Sequence, residues 1–160
     1  MIHAHSHDPT MTTTLPNATA APSADESRQL AYDIAAAADE RKGTNIVILP
    51  VADVSYLADY FVIITGFSTV QVRAITRSIE ASLEEKWQRQ PLRLEGQLEG
   101  NWVVMDYGDV IVHIFLPETR EFYDLEAFWG HAPALVYQPV LSPPAQAPGF
   151  YASYNHHQIP

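Results

Sequence analysis

The chain has 160 residues, 47% of them apolar, with no cysteine and a formal net charge of −10. That size and apolar content support one folded domain with a real core, and the lack of cysteine excludes disulfides, thiol catalysis and cysteine-ligated zinc. Nine Lys and Arg residues are spread from Arg28 to Arg120 without a dense patch, so a face that tracks a bare nucleic-acid backbone is not expected.

Residues 1–24 are rich in Thr, Ala, Pro and His and have no helical or strand period, which predicts a disordered tail. His3, His5 and His7 offer at most a weak metal site there. The segment has neither the Arg-rich amphipathic character of a transit peptide nor an apolar signal core, and Met11 is a second candidate start. No run approaches the roughly 20 apolar residues that cross a bilayer. A soluble, cytoplasmic protein is expected.

The folded domain is expected over residues 25–136. Ser23 and Glu26 have capping-box spacing, and Leu30, Ile34 and Ala38 follow at helical spacing. Gly43 supplies a C-terminal stop. Thr44 to Leu49 is a β-branched run closed by Pro50, and Asp59 to Thr65 is a continuously apolar, central strand. Gly66 breaks it. Ser68 and Gln71 offer a second capping box, after which Val72, Ile75, Ile79 and Leu83 line one helical face. A short strand near Leu92 to Glu95 comes next.

Trp102 to Tyr107 and Val110 to Phe115 are two β-rich runs joined by Gly108 and Asp109, a link suited to a type II′ turn. Counting back from that turn sets Tyr107 opposite Val110, Met105 opposite Val112 and Val103 opposite Ile114. This apolar face should lie under the helices. The other face pairs Asp106 with Ile111, Val104 with His113 and Trp102 with Phe115. It is either a second, half-wet core layer or an interaction surface.

Pro117 ends the second run, and Glu121 to Trp129 reads as a last helix carrying Phe122, Leu125 and Trp129. The expected order is αββαβββα: an α/β (α+β) fold with a mixed sheet of about five strands flanked by helices. Residues 137–160 form a second, Pro-rich tail with Pro139, Pro143, Pro144, Pro148 and Pro160. Tyr151, Tyr154, His156 and His157 give it the look of a docking peptide, although a loose tail is favoured.

Between Glu95 and Glu126 there are eight carboxylates and one base, Arg120. Such a region repels phosphate and attracts a basic protein surface.

The segments ADYFVIITG (58–66) and GNWVVMDYGDVIVHIFLPETREFYDLEAFWGHAP (100–133) closely resemble the ribosomal silencing factor family of the Iojap type. The shared pattern is W-V-x-x-D-x-G-D-V-[VI]-V-H followed by R-x-[FY]-Y-x-L-E-x-[LF]-W, both halves ungapped. The helix opening Thr65-Gly66-Phe67-Ser68 and its continuation Gln71-Val72-Arg73-Ala74-Ile75 match as well. The resemblance covers about Ser27 to Pro133 and neither tail. It implies a nucleotidyltransferase-like scaffold without that activity. It also implies binding to a basic large-subunit ribosomal protein, the universal fourteenth, at the subunit interface. Small-subunit joining would then be blocked and translation repressed when nutrients are scarce. A homodimer off the ribosome is implied, and neither a cofactor nor a catalytic residue.

Family contacts carry over to Trp102, Tyr107 and Tyr123, with Asp106, Asp109 and Asp124 as acidic neighbours, and Phe115 joins them as the cross-strand partner of Trp102. Strict alternation places Trp102 and Tyr107 on opposite faces, so using both requires a bulge or an edge-on contact. Trp102 is expected at the interface, with Trp102→Ala folded but unable to bind. Trp129 suits core and interface equally, and Arg120 is expected to pair with a carboxylate.

Asp106, Asp109 and His113 raise a metal site or general base as an alternative. Asp109 in a turn has a local structural role available, and no third ligand stands at metal-site spacing. A magnesium-dependent nucleotidyltransferase needs a Gly-Ser turn and paired carboxylates on adjacent strands. Here Phe67 separates Gly66 from Ser68, and no D-x-D pair follows the helix. A large-subunit assembly factor is a further alternative, using the same surface.

Overall fold

A computed structural model describes residues 20–130 and 134–139. Both His- and Tyr/His-bearing tail motifs lie outside these residues. Helix α1 (Ala24–Glu40) opens with the expected capping box: Ser23 Oγ accepts the Glu26 N–H, and Glu26 accepts the Ser23 N–H. Its end differs from expectation. Lys42, not Gly43, takes the left-handed conformation at φ 61, and the Gly43 N–H donates to Ala38 O at 3.0 Å. Gly43 is small for another reason, since a Cβ there would sit 2.9 Å from the Ile64 side chain.

Strand β1 (Thr44–Pro50) pairs antiparallel with β2 (Tyr60–Thr65). Helix α2 (Thr69–Trp87) begins at Ser68, whose Oγ accepts the Gln71 N–H. The return half of a capping box is displaced by one residue: Gln71 Oε1 accepts from Phe67 N–H at 2.8 Å. Its Nε2 donates to Arg41 O and Lys42 O. Gln71 therefore ties the start of α2 to the end of α1.

Three further strands, β3 (Arg93–Glu95), β4 (Trp102–Asp106) and β5 (Val110–Phe115), are followed by α3 (Pro117–Tyr123), α4 (Leu125–Trp129) and β6 (Leu135–Val136). The sheet order is β3-β4-β5-β2-β1-β6, with β2 and β5 parallel and every other pair antiparallel. The sheet thus has six strands where about five were expected. The sixth is a two-residue edge on β1, too short to leave a period. The predicted last helix is two helices. Pro117 starts the first at N1, and Asp124, at φ 43, breaks the chain between them. No helix among the described residues is long and apolar enough to cross a membrane.

The hairpin register agrees with the count back from the turn, including Met105↔Val112, Val103↔Ile114 and Trp102↔Phe115. Gly108 has φ 91 and Asp109 has no positive φ, as a turn with glycine at its first central position requires. Val103, Met105, Tyr107, Val110, Val112 and Ile114 pack under α1 and α2 with Leu30, Ile34, Val72, Ile75, Ile79 and Leu83. That is the main core.

Gly96 closes the β3–β4 connection at φ 87, where a Cβ would meet the Trp102 carbonyl oxygen at 1.9 Å. Both the backbone conformation and the contact forbid a side chain. Gly96→Ala is expected to lose at least ~2 kcal/mol, measured by urea unfolding at unchanged m-value.

Candidate docking surface on the open sheet face

Alternation along β4 and β5 sends Trp102, Val104, Asp106, Ile111, His113 and Phe115 to the face away from α1 and α2. Part of this face is a second, smaller core: Leu49, Val51, Ala58, Phe61, Ile63 and Phe115 are buried, with Trp102, Ile111, Leu125 and Trp129 packed against them. Helices α3 and α4 cross the face and are held down by Arg120. Its Nη1 donates to Asn45 O at 2.7 Å and Thr65 Oγ1 at 2.8 Å, and its Nε donates to Glu126 at 2.8 Å. The pairing expected for Arg120 is present, and it leaves that guanidinium committed.

Because Asp124 breaks the helix, Leu125 and Trp129 turn inward while Phe122 and Phe128 turn outward, 82% and 69% exposed. Neither α3 nor α4 buries a residue completely. An aromatic chain runs from the interior to this rim. Trp129 meets Phe61 edge-on at 5.6 Å, and Phe61 meets His113 at 5.1 Å. Trp102 stacks on Phe115 at 5.0 Å and leans on Tyr123 at 4.5 Å, and Tyr123 meets Phe122 at 5.1 Å. Around the rim Glu95, Glu118, Glu121 and Asp124 are all exposed. Exposed aromatic surface bordered by carboxylates suits a Lys- and Arg-rich protein partner.

The seven residues expected to bind a partner do not form one patch. Tyr123 and Asp124 are exposed, and Trp102 is half-buried beside Tyr123. Phe115 is a correction: it is 1% exposed, roofed by Trp102, and supports the surface from below. Tyr107 is another. It points into the helix-covered core, 2% exposed, and no bulge brings it round. Burial holds its hydroxyl well above the usual phenol range. Asp106 turns back to accept the Gly108 N–H at 2.8 Å.

Asp109 also serves the interior. It accepts from Arg89 Nη2 at 2.6 Å and from Ser27 Oγ at 2.7 Å, with a side chain 7% exposed. Burial pushes its carboxyl up, but the hydrogen bonds from Arg89 and Ser27 outweigh this and hold it below the usual range. Three of the eight carboxylates in the acidic stretch, Asp106, Asp109 and Glu126, are therefore spent on the fold. Among the described residues no cluster of three or more His, Asp or Glu side chains could hold a metal ion.

Phe128 is a surface residue that sequence reasoning did not single out, and Phe122, grouped with Leu125 and Trp129 on one helical face, lies on the surface instead. A single helix over 121–129 hides them, and only the break at Asp124 separates their direction from that of Leu125 and Trp129.

A family model described as ribosomal silencing factor during starvation matches residues 24–157. Ribosomal silencing factor RsfS of Bacillus subtilis is 42% identical over 99 residues, 62% of this chain and 83% of that protein. A mouse protein named mitochondrial assembly of ribosomal large subunit protein 1 is 32% identical over 92 residues, 56% of this chain and 40% of its own. A crystal structure of a Chromobacterium violaceum protein superimposes with a TM-score of 0.62 at 32% identity, covering 76% of this chain and 98% of that one.

Proposed function

The chain belongs to the ribosomal silencing factor family, and from that premise we propose that it docks on the large ribosomal subunit through a basic protein at the subunit interface. Occupying that place, it blocks small-subunit joining and represses translation. The observation that carries this reading is the rim of α3 and α4, where Phe122, Tyr123 and Phe128 are exposed beside Glu118, Glu121 and Asp124. The one base on these helices, Arg120, is committed to Glu126, Asn45 and Thr65. Aromatic anchors then supply affinity, while the surrounding carboxylates select a cationic partner. Steric blocking asks for bulk and a firm grip. It needs no bond-making residue, so the reading is non-enzymatic and without cofactor. Cytoplasmic location and a homodimer off the ribosome belong to the same proposal.

Purified chain mixed with separated bacterial subunits and sedimented tests it. Whole-ribosome formation should fall as protein is added, and undiminished joining at saturation would sink the reading. Tyr123→Ala is a cleaner surface probe than Trp102→Ala, because Trp102 also roofs Phe115 and supports His113. Its affinity for large subunits should fall tenfold or more, with melting temperature little changed.

A role in large-subunit assembly is a second reading, favoured by the printed name of the mouse relative. It uses the same surface at an earlier time, and binding to large-subunit precursors in preference to mature subunits would select it. For a nucleotidyltransferase-like enzyme, the discriminating measurement is thermal unfolding with millimolar nucleotide and magnesium, where no shift is expected.

A further inference from the structure

His113 departs from what packing alone asks for. On the open face it meets Phe61 and Phe115 and stands in register with Ile63, and it is 8% exposed. A leucine or phenylalanine would occupy that layer with no polar atom to satisfy. The imidazole instead leaves Nε2 buried without a partner among the described residues. Buried polar atoms without partners are rare and costly, so the ring's other nitrogen must account for its presence.

That nitrogen, Nδ1, accepts the indole N–H of Trp102 at 3.2 Å. The bond runs diagonally across the hairpin. Trp102 stands opposite Phe115 in register but donates to the residue two places earlier on β5. Phe115 lies beneath the indole at an interplanar angle of 28°, and Tyr123 leans on it from the rim. With its N–H pole held inward, the indole has only its hydrocarbon edge left to face outward beside Tyr123. Without the acceptor, the ring gains by turning its N–H toward water, and the support under Tyr123 changes with it.

We propose that His113 is a positioning residue of the docking surface: by accepting the Trp102 indole N–H it sets which edge of that ring, and so which pose of Tyr123, meets the partner. This rests on the docking function proposed above. His113 touches no partner itself and acts wholly through Trp102.

A double-mutant cycle measured as affinity for purified bacterial large subunits tests the proposal. His113→Phe keeps a ring and removes the acceptor, and Trp102→Phe keeps a ring and removes the donor. His113→Gln restores an acceptor oxygen. His113→Phe should weaken binding about tenfold, His113→Gln should recover most of that loss, and His113→Phe added to Trp102→Phe should weaken it no further. The ¹⁵N-indole signal of Trp102 should lose its protection from exchange in His113→Phe alone. Equal loss from His113→Phe in the wild-type and Trp102→Phe backgrounds would overturn the proposal, since His113 would then act by packing only. Full affinity in His113→Phe would overturn it too. If that variant does not fold, as judged by its melting curve, His113→Leu takes its place in the cycle. Failure of the wild-type chain to sediment with large subunits is a separate outcome, which overturns the docking reading and this proposal together.

Discussion

Asp109→Ala is expected to be the most destabilising single substitution on the polar side of the fold, at about 3 kcal/mol. Removing one member of a buried ion pair strands the other, which typically costs about 3–5 kcal/mol. Arg89 is 27% exposed and regains some hydration, which argues for the lower end. The loss is not confined to one bond. The Asp109 side chain joins Ser27 of α1 to Arg89 beyond α2, while its backbone carbonyl, which alanine keeps, accepts the Asp59 N–H at 2.8 Å and the Tyr60 N–H at 3.2 Å. Four segments meet at one turn. At roughly 4 °C per kcal/mol for a domain of this size, the melting temperature should drop by about 12 °C. Asp109→Asn keeps acceptor and shape but not charge, and should cost less. The sign with pH follows from the depressed carboxyl. Its contribution is complete above the ordinary carboxylate range and fades as pH falls through the lower folded value, so wild type and Asp109→Ala should converge in acid. A constant difference down to pH 2.5 would refute the role given to its charge.

This turn shows where the sequence is legible and where it is not. The hairpin register could be read because a period of two and one glycine determine it locally, and every pair from Trp102↔Phe115 to Asp106↔Ile111 is in place. The roles of Asp109 could not. Its partners lie 20 and 82 residues away, and nothing local marks Ser27 or Arg89 as their destination. Tyr107 and Trp102 lie on opposite faces, as alternation predicts. Which face stays open depends on where α3 and α4 come to rest, and that is decided by Arg120 reaching Asn45 and Thr65. Phe115 therefore read as surface and lies inside. Phe122 read as helix face and lies outside, because one left-handed residue at Asp124 resets the phase. Periodicity gives the faces of each element; contacts between distant elements decide which face the solvent sees.

The second large effect is a loss of stability between pH 6.5 and about 4, carried by His113. Burial pushes its imidazole from 6.5 down to about 4, so over that interval the unfolded chain binds a proton that the folded chain refuses. Stability then rises with pH across the window, is complete above 6.5, and is lost as pH falls to the folded value. A displacement of that size is worth about 3 kcal/mol. His113 is the one histidine among the described residues, and the His113→Phe variant isolates its share of the effect. Urea unfolding at pH 7.5, 6, 5 and 4.5 should show the decline, and His113→Phe should flatten it whatever its own stability at pH 7.5. An unchanged slope in that variant would remove His113 as the cause. The two acid effects also separate by window. His113 has surrendered most of its contribution before the Asp109 carboxylate, held below its ordinary 3.8, begins to take up a proton. Wild type should therefore lose stability in two steps, His113→Phe should keep only the lower one, and Asp109→Ala only the upper.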